Sequence, residues 1–150
     1  RYTVAYRVKG GKKWTYFSTT ACNYTFKNLK VKSTYQFRVQ AVSPFGAGAY
    51  SATVSKQALP PTPGSVKVQR ISAKSAKVSW SKSQGFTGYY ILRSTDKNFK
   101  KNVKKITVKS NKALSYTDKS VKKGTRYYYK VCRYTGKTSG SYSKTVSVKI

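Results

Sequence analysis

The sequence lacks most of the side chains that enzymes use for proton transfer. Its 150 residues include no His, no Met and no Glu, and the only acidic residues are Asp96 and Asp118. Histidine is the commonest general base, with carboxylates next. Both aspartates fall in predicted turns, where Asp often hydrogen-bonds its own backbone. We therefore expect no catalytic residue, no metal site and no cofactor, and we predict that the protein is not an enzyme.

Cysteine and long apolar runs are also scarce. Cys22 and Cys132 are the only two cysteines and lie far apart in the chain. Their spacing matches no zinc site and gives little reason to expect a disulfide. No apolar run reaches the roughly 18 residues that a membrane-spanning helix needs. We expect no membrane span.

Positive charge is in large excess. The chain carries 32 Lys and Arg against 2 acidic residues, which gives a formal net charge of +30. Such a surface attracts polyanions, and nucleic acid, anionic cell-wall polymer, acidic polysaccharide, lipid headgroups and an acidic neighbouring protein all stay open as partners. No recognition motif supports specific nucleic-acid binding. The alternative is that lysine simply fills solvent-facing strand positions.

The apolar residues recur at every second position, and the pattern itself repeats about 90 residues later. The row Tyr35, Phe37, Val39 corresponds to the row Tyr127, Tyr129, Val131, and 2–7 corresponds to 89–94. No segment has a helical apolar stripe. We predict an all-β fold made of two small sandwiches in tandem.

A proline-rich stretch at 59–63 is the predicted linker between a first unit, 1–58, and a second unit, 64–150, because proline does not join a central strand ladder. In the second unit the turn signals separate seven predicted strands: 65–71, 76–81, 89–94, 103–109, 113–117, 126–134 and 142–150. The first unit has five: 2–8, 14–18, 24–26, 34–42 and 50–56.

The first unit therefore lacks the two strands that would precede Tyr2. We expect it to expose apolar core and an unpaired edge. We also expect the chain to be a piece of a longer polypeptide, or to receive those strands from another segment.

The second unit resembles a fibronectin type III domain, with Trp80 in its second strand, Gly88-Tyr89-Tyr90-Ile91 opening the third and Gly124-Thr125-Arg126-Tyr127 leading into Val131. The resemblance covers the whole chain and makes the first unit a partial domain from the family's third strand onward. It implies immunoglobulin-like sandwiches, a core position for Trp80, and a structural tyrosine corner at Tyr35 and Tyr127. Arg133 departs from the pattern, since it stands where the first unit has Ala41.

The Lys- and Tyr-rich segments 93–100 and 115–119 are similar to fibronectin-type repeats of surface and secreted proteins of Gram-positive bacteria. That resemblance implies an extracellular, cell-surface or secreted module. We expect a non-catalytic spacer or structural unit of a larger protein, partnered by that protein's other domains and drawn to anionic polymer. An adhesin or carbohydrate-binding module, and an accessory domain of a secreted polysaccharide-active enzyme, are the alternatives.

Two groups of residues are candidate ligand- or anion-binding positions. On the strand 126–134, alternation places every second residue, including Cys132, on the face opposite the core. Aromatic rings interleaved with lysine can stack on sugars and hold anions, although cross-strand Tyr–Lys contacts also stabilise ordinary exposed sheets. The candidates on this face are Tyr128, Lys130, Tyr134, Tyr142 and Lys144. The densest basic stretch adds Lys97, Lys100, Lys101, Lys104 and Lys105, which a solvated surface also explains.

Overall fold

The computed structural model describes residues 1–150 and consists of strands, turns and loops. The chain separates into two compact units, Arg1–Ala58 and Leu59–Ile150. Neither unit has a helix that is long and apolar enough to cross a membrane. The all-β prediction is confirmed.

The first unit is one antiparallel sheet with the order β2-β1-β3-β4, in which β5 also pairs with β3. Its strands are β1 (Tyr2–Val8), β2 (Thr15–Thr19), β3 (Thr34–Ser43), β4 (Gly46–Tyr50) and β5 (Val54–Gln57).

The second unit is a sandwich of two antiparallel sheets, ordered β10-β7-β6 and β12-β11-β8-β9, with β13 also paired to β11. Its strands are β6 (Lys67–Ser72), β7 (Ser75–Ser79), β8 (Gly88–Ser94), β9 (Lys104–Val108), β10 (Ser115–Asp118), β11 (Arg126–Thr135), β12 (Thr138–Ser139) and β13 (Val146–Lys149).

The second unit's core lies between its two sheets. Tyr89, Tyr129 and Val131 are fully buried there, as the every-other-residue pattern requires. Trp80 is buried against Tyr89, with 4.6 Å between the ring centroids. Its indole Nε1 donates a 2.9 Å hydrogen bond to the carbonyl oxygen of Ala113, so the polar end of the ring is satisfied inside the core.

The first unit's apolar residues also share one side of their sheet, because Val4 pairs with Val39 and Tyr6 with Phe37. A single extended segment, 23–27, covers that side. Its Phe26 ring lies 5.0 Å from Tyr6 and 4.7 Å from Phe37, measured between centroids. No second sheet lies over the rest of the apolar side, and Val39 stays 40% exposed.

Part of the uncovered apolar side forms a concavity of about 320 Å³, lined by Tyr2, Val4, Tyr24 and Val39 among others.

The predicted strand 24–26 is wrong, because that segment pairs with no neighbouring strand. Its equivalent in the second unit, β10, is a strand because β7 lies beside it and supplies the partner groups.

The predicted last strand of each unit is interrupted. A serine side chain replaces a strand partner at the same place in both units. The backbone N of Val39 donates to Ser51 Oγ at 3.1 Å, and that of Val131 donates to Ser143 Oγ at 3.1 Å. The predicted strand 50–56 is therefore split between β4 and β5, and only Val146–Lys149 of the predicted strand 142–150 is a strand.

Residues 59–63, predicted as linker, are packed on the second unit. Arg133 is 3% exposed, and its Nη1 donates to the carbonyl oxygens of Pro61 at 3.1 Å and Thr62 at 3.2 Å. Gly140 approaches the carbonyl of Pro60 so closely that a Cβ at this position would clash with it. The departure of Arg133 from the family pattern thus has a reason: its buried cation binds backbone carbonyls of this segment.

The two tyrosines predicted to form tyrosine corners, Tyr35 and Tyr127, each accept a hydrogen bond of the same kind. The backbone N of Lys30 donates to Tyr35 Oη at 3.1 Å, and that of Lys122 donates to Tyr127 Oη at 3.1 Å. Each phenol is five residues after its donor and is buried. Each therefore ties the turn before the long central strand to that strand.

Candidate ligand-binding face

The outer side of the β9-β8-β11 sheet brings several of the predicted site residues together. Cross-strand pairing places Cys132 opposite Tyr90, and Lys130 opposite Leu92, which is itself opposite Lys105. Paired residues point to the same side of a sheet. We define the tyrosine–lysine face by these outward residues and the aromatic rings that join them: Tyr90, Phe99, Lys105, Tyr128, Lys130, Cys132, Tyr134 and Tyr142.

Two tyrosines of this face stack on each other. The rings of Tyr90 and Tyr134 are 4.3 Å apart between centroids and 13° from parallel. The ammonium of Lys105 lies 3.6 Å from the centroid of the Tyr90 ring. Tyr134, one of the candidate binding residues, is only 7% exposed, so little of its ring is open to a ligand. Its ring is covered because the ring of Tyr90, on the neighbouring strand, stacks on it.

A second cluster surrounds Lys130. Its Nζ lies 4.3 Å from the centroid of Phe99 and 5.1 Å from that of Tyr142. Cation–π contacts of this kind hold the lysine against the sheet. Phe99 comes from the β8–β9 connection, so the fold joins the two regions that the sequence analysis treated separately. Neither Phe99 nor Tyr90 was named as a candidate, since neither lies on the strand that carried the pattern.

Cys132 lies under this cluster and is fully buried. Burial raises the pKa of its thiol, and burial together with the neighbouring Cys132 raises the pKa of the Tyr142 phenol. Both groups therefore stay protonated at neutral pH. A buried neutral thiol of this kind is a packing residue, since thiolate is the reactive form.

The five lysines of the basic stretch do not form one patch. Lys104 and Lys105 are adjacent on β9 and therefore point to opposite sides of the sheet. The Nζ of Lys104 reaches Ser120 Oγ at 3.4 Å, away from the tyrosine–lysine face. Lys97, Lys100 and Lys101 are exposed in the preceding loop, and Lys144 is exposed beyond β12.

The loop is shaped by Asp96, whose carboxylate accepts a 2.8 Å hydrogen bond from the backbone N of Lys100. That hydrogen bond lowers the pKa of Asp96 below its ordinary value. This geometry agrees with the prediction that Asp96 lies in a turn and hydrogen-bonds nearby backbone.

Asp118 was also predicted to lie in a turn, but the structure places it in a buried ion pair. It ends β10 and is 1% exposed, and its carboxylate forms an ion pair with Arg93, the shortest contact being 3.0 Å from Nη1 to Oδ2. The hydroxyl of Tyr129 donates to Oδ2 at 3.1 Å, and the backbone N of Ser120 donates to Oδ1 at 3.0 Å. The local bond from Ser120 is the turn feature; the ion pair arises because β8 and β11 pass beside it.

Burial alone would push the pKa of Asp118 upward, but hydrogen bonds from Ser120 and the charge of Arg93 outweigh it and lower the pKa. Burial and the charge of Asp118 raise the pKa of Tyr129 far above its ordinary value. The partners of Asp118 are thus an arginine, a serine and a tyrosine.

The structure groups no three His, Cys, Asp or Glu side chains together. The geometry of the tyrosine–lysine face offers packed rings capped by ammonium groups. Such a surface attracts anions at its rim, while most of its ring faces are already in contact with the protein's own side chains.

Comparison with known proteins gives one family and several relatives. The profile of the "Fibronectin type III domain" matches residues 1–57 and 60–149. A protein of Pongo abelii, "Fibronectin type-III domain-containing protein 3A", is 28% identical over 63% of this chain. The chain spans only 9% of that protein's length.

Solved structures show the same architecture. The FN1-FN3 domains of chicken CNTN1 align with 98% of this chain and 55% of theirs, at 26% identity and a TM-score of 0.54. A two-domain fibronectin type III segment from chicken tenascin aligns with 100% of this chain and 84% of its own, at 15% identity and a TM-score of 0.59. The second of these likenesses concerns the fold alone.

Proposed function

The chain belongs to the fibronectin type III domain family, and on that premise we propose that it is a non-catalytic spacer or structural module of a larger extracellular protein, attracted to polyanionic surfaces. Domains of this family are generally structural or adhesive modules and not enzymes. The observation that carries the proposal is the state of the tyrosine–lysine face. Its rings pack on one another and under lysine, as in a stabilised outer sheet.

The charge distribution supports the proposed attraction to polyanionic surfaces. Of 32 Lys and Arg, only Arg93 forms an ion pair with a side-chain carboxylate. The remaining cations are spread over both units, so the attraction is diffuse and does not depend on one pocket. The bacterial-surface origin rests on the Lys- and Tyr-rich segments alone, since the relatives with a stated organism come from Pongo abelii and chicken.

A salt titration tests this proposal. We expect the whole chain to bind an acidic polysaccharide at about 0.05 M salt and to lose most of that binding by about 0.5 M, because the Debye length shrinks severalfold. A neutral polysaccharide serves as the control and should not bind. Retention of binding at high salt, or equal binding to the neutral polymer, contradicts diffuse attraction.

A paired substitution sharpens the test. Replacing Lys105 and Lys130 by Gln removes two charges from the tyrosine–lysine face, and replacing Lys97 and Lys100 by Gln removes two from the loop. Diffuse attraction predicts equal losses of affinity in the two variants. A much larger loss in the first variant points to a specific site on the face.

The second candidate, a carbohydrate-binding module or adhesin, is favoured by Tyr128. This ring is half-buried, and its cross-strand partners are the small residues Ser94 and Ser147. It makes no stacking or cation contact with the chain's other rings and charges, so it is the ring of this face that a sugar would contact most readily. Tyr128→Ala should abolish any binding to neutral polysaccharide that persists at high salt.

A further inference from the structure

The outer side of the first unit's sheet carries arginine and aromatic side chains in mutual contact. The guanidinium carbon of Arg7, on β1, lies 4.4 Å from the centroid of the Trp14 ring. That of Arg38, on β3, lies 4.3 Å from the same centroid and 4.2 Å from that of Tyr50. We name Arg7, Trp14, Arg38 and Tyr50 the arginine stack. It lies opposite the apolar side, because Arg7 and Arg38 alternate with the inward residues of their strands.

The guanidinium groups of the stack are held in place by further contacts. Arg7 Nε donates to Gln36 Oε1 at 2.8 Å, and its Nη1 donates to the carbonyl oxygen of Gly11 at 3.2 Å. Arg38 Nη2 contacts Tyr16 Oη at 3.4 Å. Both arginines are partly buried. A ligand therefore meets side chains that have already lost most of their rotamer freedom, which lowers the entropic cost of binding.

No carboxylate neutralises the stack. The first unit contains no Asp or Glu, although it has ten Lys and Arg side chains. Arg7 Nη2 and Arg38 Nη1 make no hydrogen bond within the chain, and Arg38 Nε is buried without a partner. Two cations that share one indole ring repel each other, and an anion between or beside them removes that repulsion.

We propose that the arginine stack is a binding site for the oxyanion groups, sulfate or carboxylate, of an acidic polysaccharide. Planar guanidinium groups donate paired hydrogen bonds that match such groups in shape. The site lies on the face of the sheet and spans β1 and β3, where the backbone groups are already paired, so it offers no free strand edge to an incoming peptide. The exposed Tyr16 ring, on the same side, adds an apolar surface for sugar C–H groups.

This inference rests on the polyanion attraction proposed above and gives it a specific position. The two are separable, because diffuse attraction depends on charge alone, whereas the stack depends on the guanidinium group. Lysine in place of arginine keeps the charge and removes the planar pair of donors.

The experiment measures the affinity of the whole chain for a heparin hexasaccharide at about 0.15 M salt. We expect the pair Arg7→Lys and Arg38→Lys to weaken binding about tenfold, which is the loss of about 1.4 kcal/mol in one or two hydrogen bonds. The control pair, Lys27→Gln and Lys56→Gln, removes two charges from the other side of the first unit and should weaken binding less than about threefold. Wild-type affinity in the lysine pair overturns the site and leaves diffuse attraction standing.

A second readout needs no substitution. The protein has two tryptophans, so its ¹H–¹⁵N spectrum contains two indole signals. Heparin hexasaccharide should shift the Trp14 signal in a saturable way and leave that of Trp80, which is buried in the second unit's core, unchanged. An unmoved Trp14 signal overturns the site even if the lysine pair fails to fold.

The chemical class of the ligand is tested with a poly-glutamate peptide of the same charge as the hexasaccharide. We expect it to bind at least about tenfold more weakly, since it lacks the sugar surface that faces Tyr16 and Tyr50. Tighter binding of the peptide overturns the polysaccharide assignment. Failure of every polyanion to bind overturns both this inference and the polyanion part of the proposed function.

Discussion

The two units place different chemistry at the same three positions of one fold. In the second unit Arg93 pairs with Tyr129 across β8 and β11, and Asp118 lies over both. In the first unit Tyr6 pairs with Phe37 across β1 and β3, and Phe26 lies over both.

One unit thus holds its covering segment with an ion pair and hydrogen bonds, and the other holds it with three aromatic rings. Buried ion pairs and apolar packing often stabilise to similar extents, provided that neither is left half complete. This point of the fold therefore requires complementarity between its three residues and tolerates either polarity.

The largest effect should come from breaking the ion pair without replacing its partner. Arg93→Tyr leaves the carboxylate of Asp118 buried and uncompensated, and we expect the second unit to lose about 3 to 5 kcal/mol of unfolding free energy. Urea unfolding, followed through Trp80 emission in a Trp14→Phe background, measures it.

Adding Asp118→Phe and Tyr129→Phe to that variant copies the first unit's trio into the second. We expect this triple variant to return to within about 2 kcal/mol of the starting protein, because no uncompensated charge remains. A triple variant as unstable as the single one contradicts the equivalence of the two arrangements.

Truncating a core valine should have a smaller effect, and its cost should differ between the covered core of the second unit and the uncovered apolar side of the first. Val131 and Val39 occupy matching positions, but Val131 is 0% exposed and Val39 is 40% exposed. We expect Val131→Ala to cost the second unit about 2 to 3 kcal/mol and Val39→Ala to cost the first unit less than about 1 kcal/mol. Trp80 and Trp14 emission report the two transitions, and equal costs indicate that the first unit's apolar side is covered in solution.

The smallest effect should be a difference in pH dependence. The pKa of Asp118 is lower in the folded protein than its ordinary value of 3.8, so its contribution to stability is present above that value and is lost as pH falls through the folded-state pKa. We expect the urea concentration at which the second unit is half unfolded to decrease once the pH is below about 4. The first unit has no side-chain carboxylate, and its midpoint should stay level. Parallel declines in both units argue against the aspartates of the second unit, Asp118 and Asp96, as the cause.

Much of the fold was predictable because it follows from local alternation. The rows Tyr35, Phe37, Val39 and Tyr127, Tyr129, Val131 both lie in the central strand of a sheet on its inward side. The strand breaks at Ser51 and Ser143 were not predictable, because a serine that accepts a hydrogen bond from a neighbouring strand has no pattern of its own.

The candidate site was predictable only in part. Alternation placed Tyr128, Lys130, Cys132 and Tyr134 on one side of β11, and they lie there. It gave no information about Tyr90 or Phe99, which come from other elements and cover that side. The burial of Tyr134 therefore escaped prediction, since exposure depends on what neighbouring strands contribute.

The sequence by itself determined the strand-forming segments, the side of each strand that is apolar and the excess of positive charge, since all three depend on residue order and composition alone. Only the tertiary structure decided which of those sides are covered, that Asp118 is charged in an interior, and that Arg7 and Arg38 share one indole. The physical reason is that burial, ion pairing and ring contact are made between residues that are distant in the chain, and they exist only once the sheets have brought those residues together.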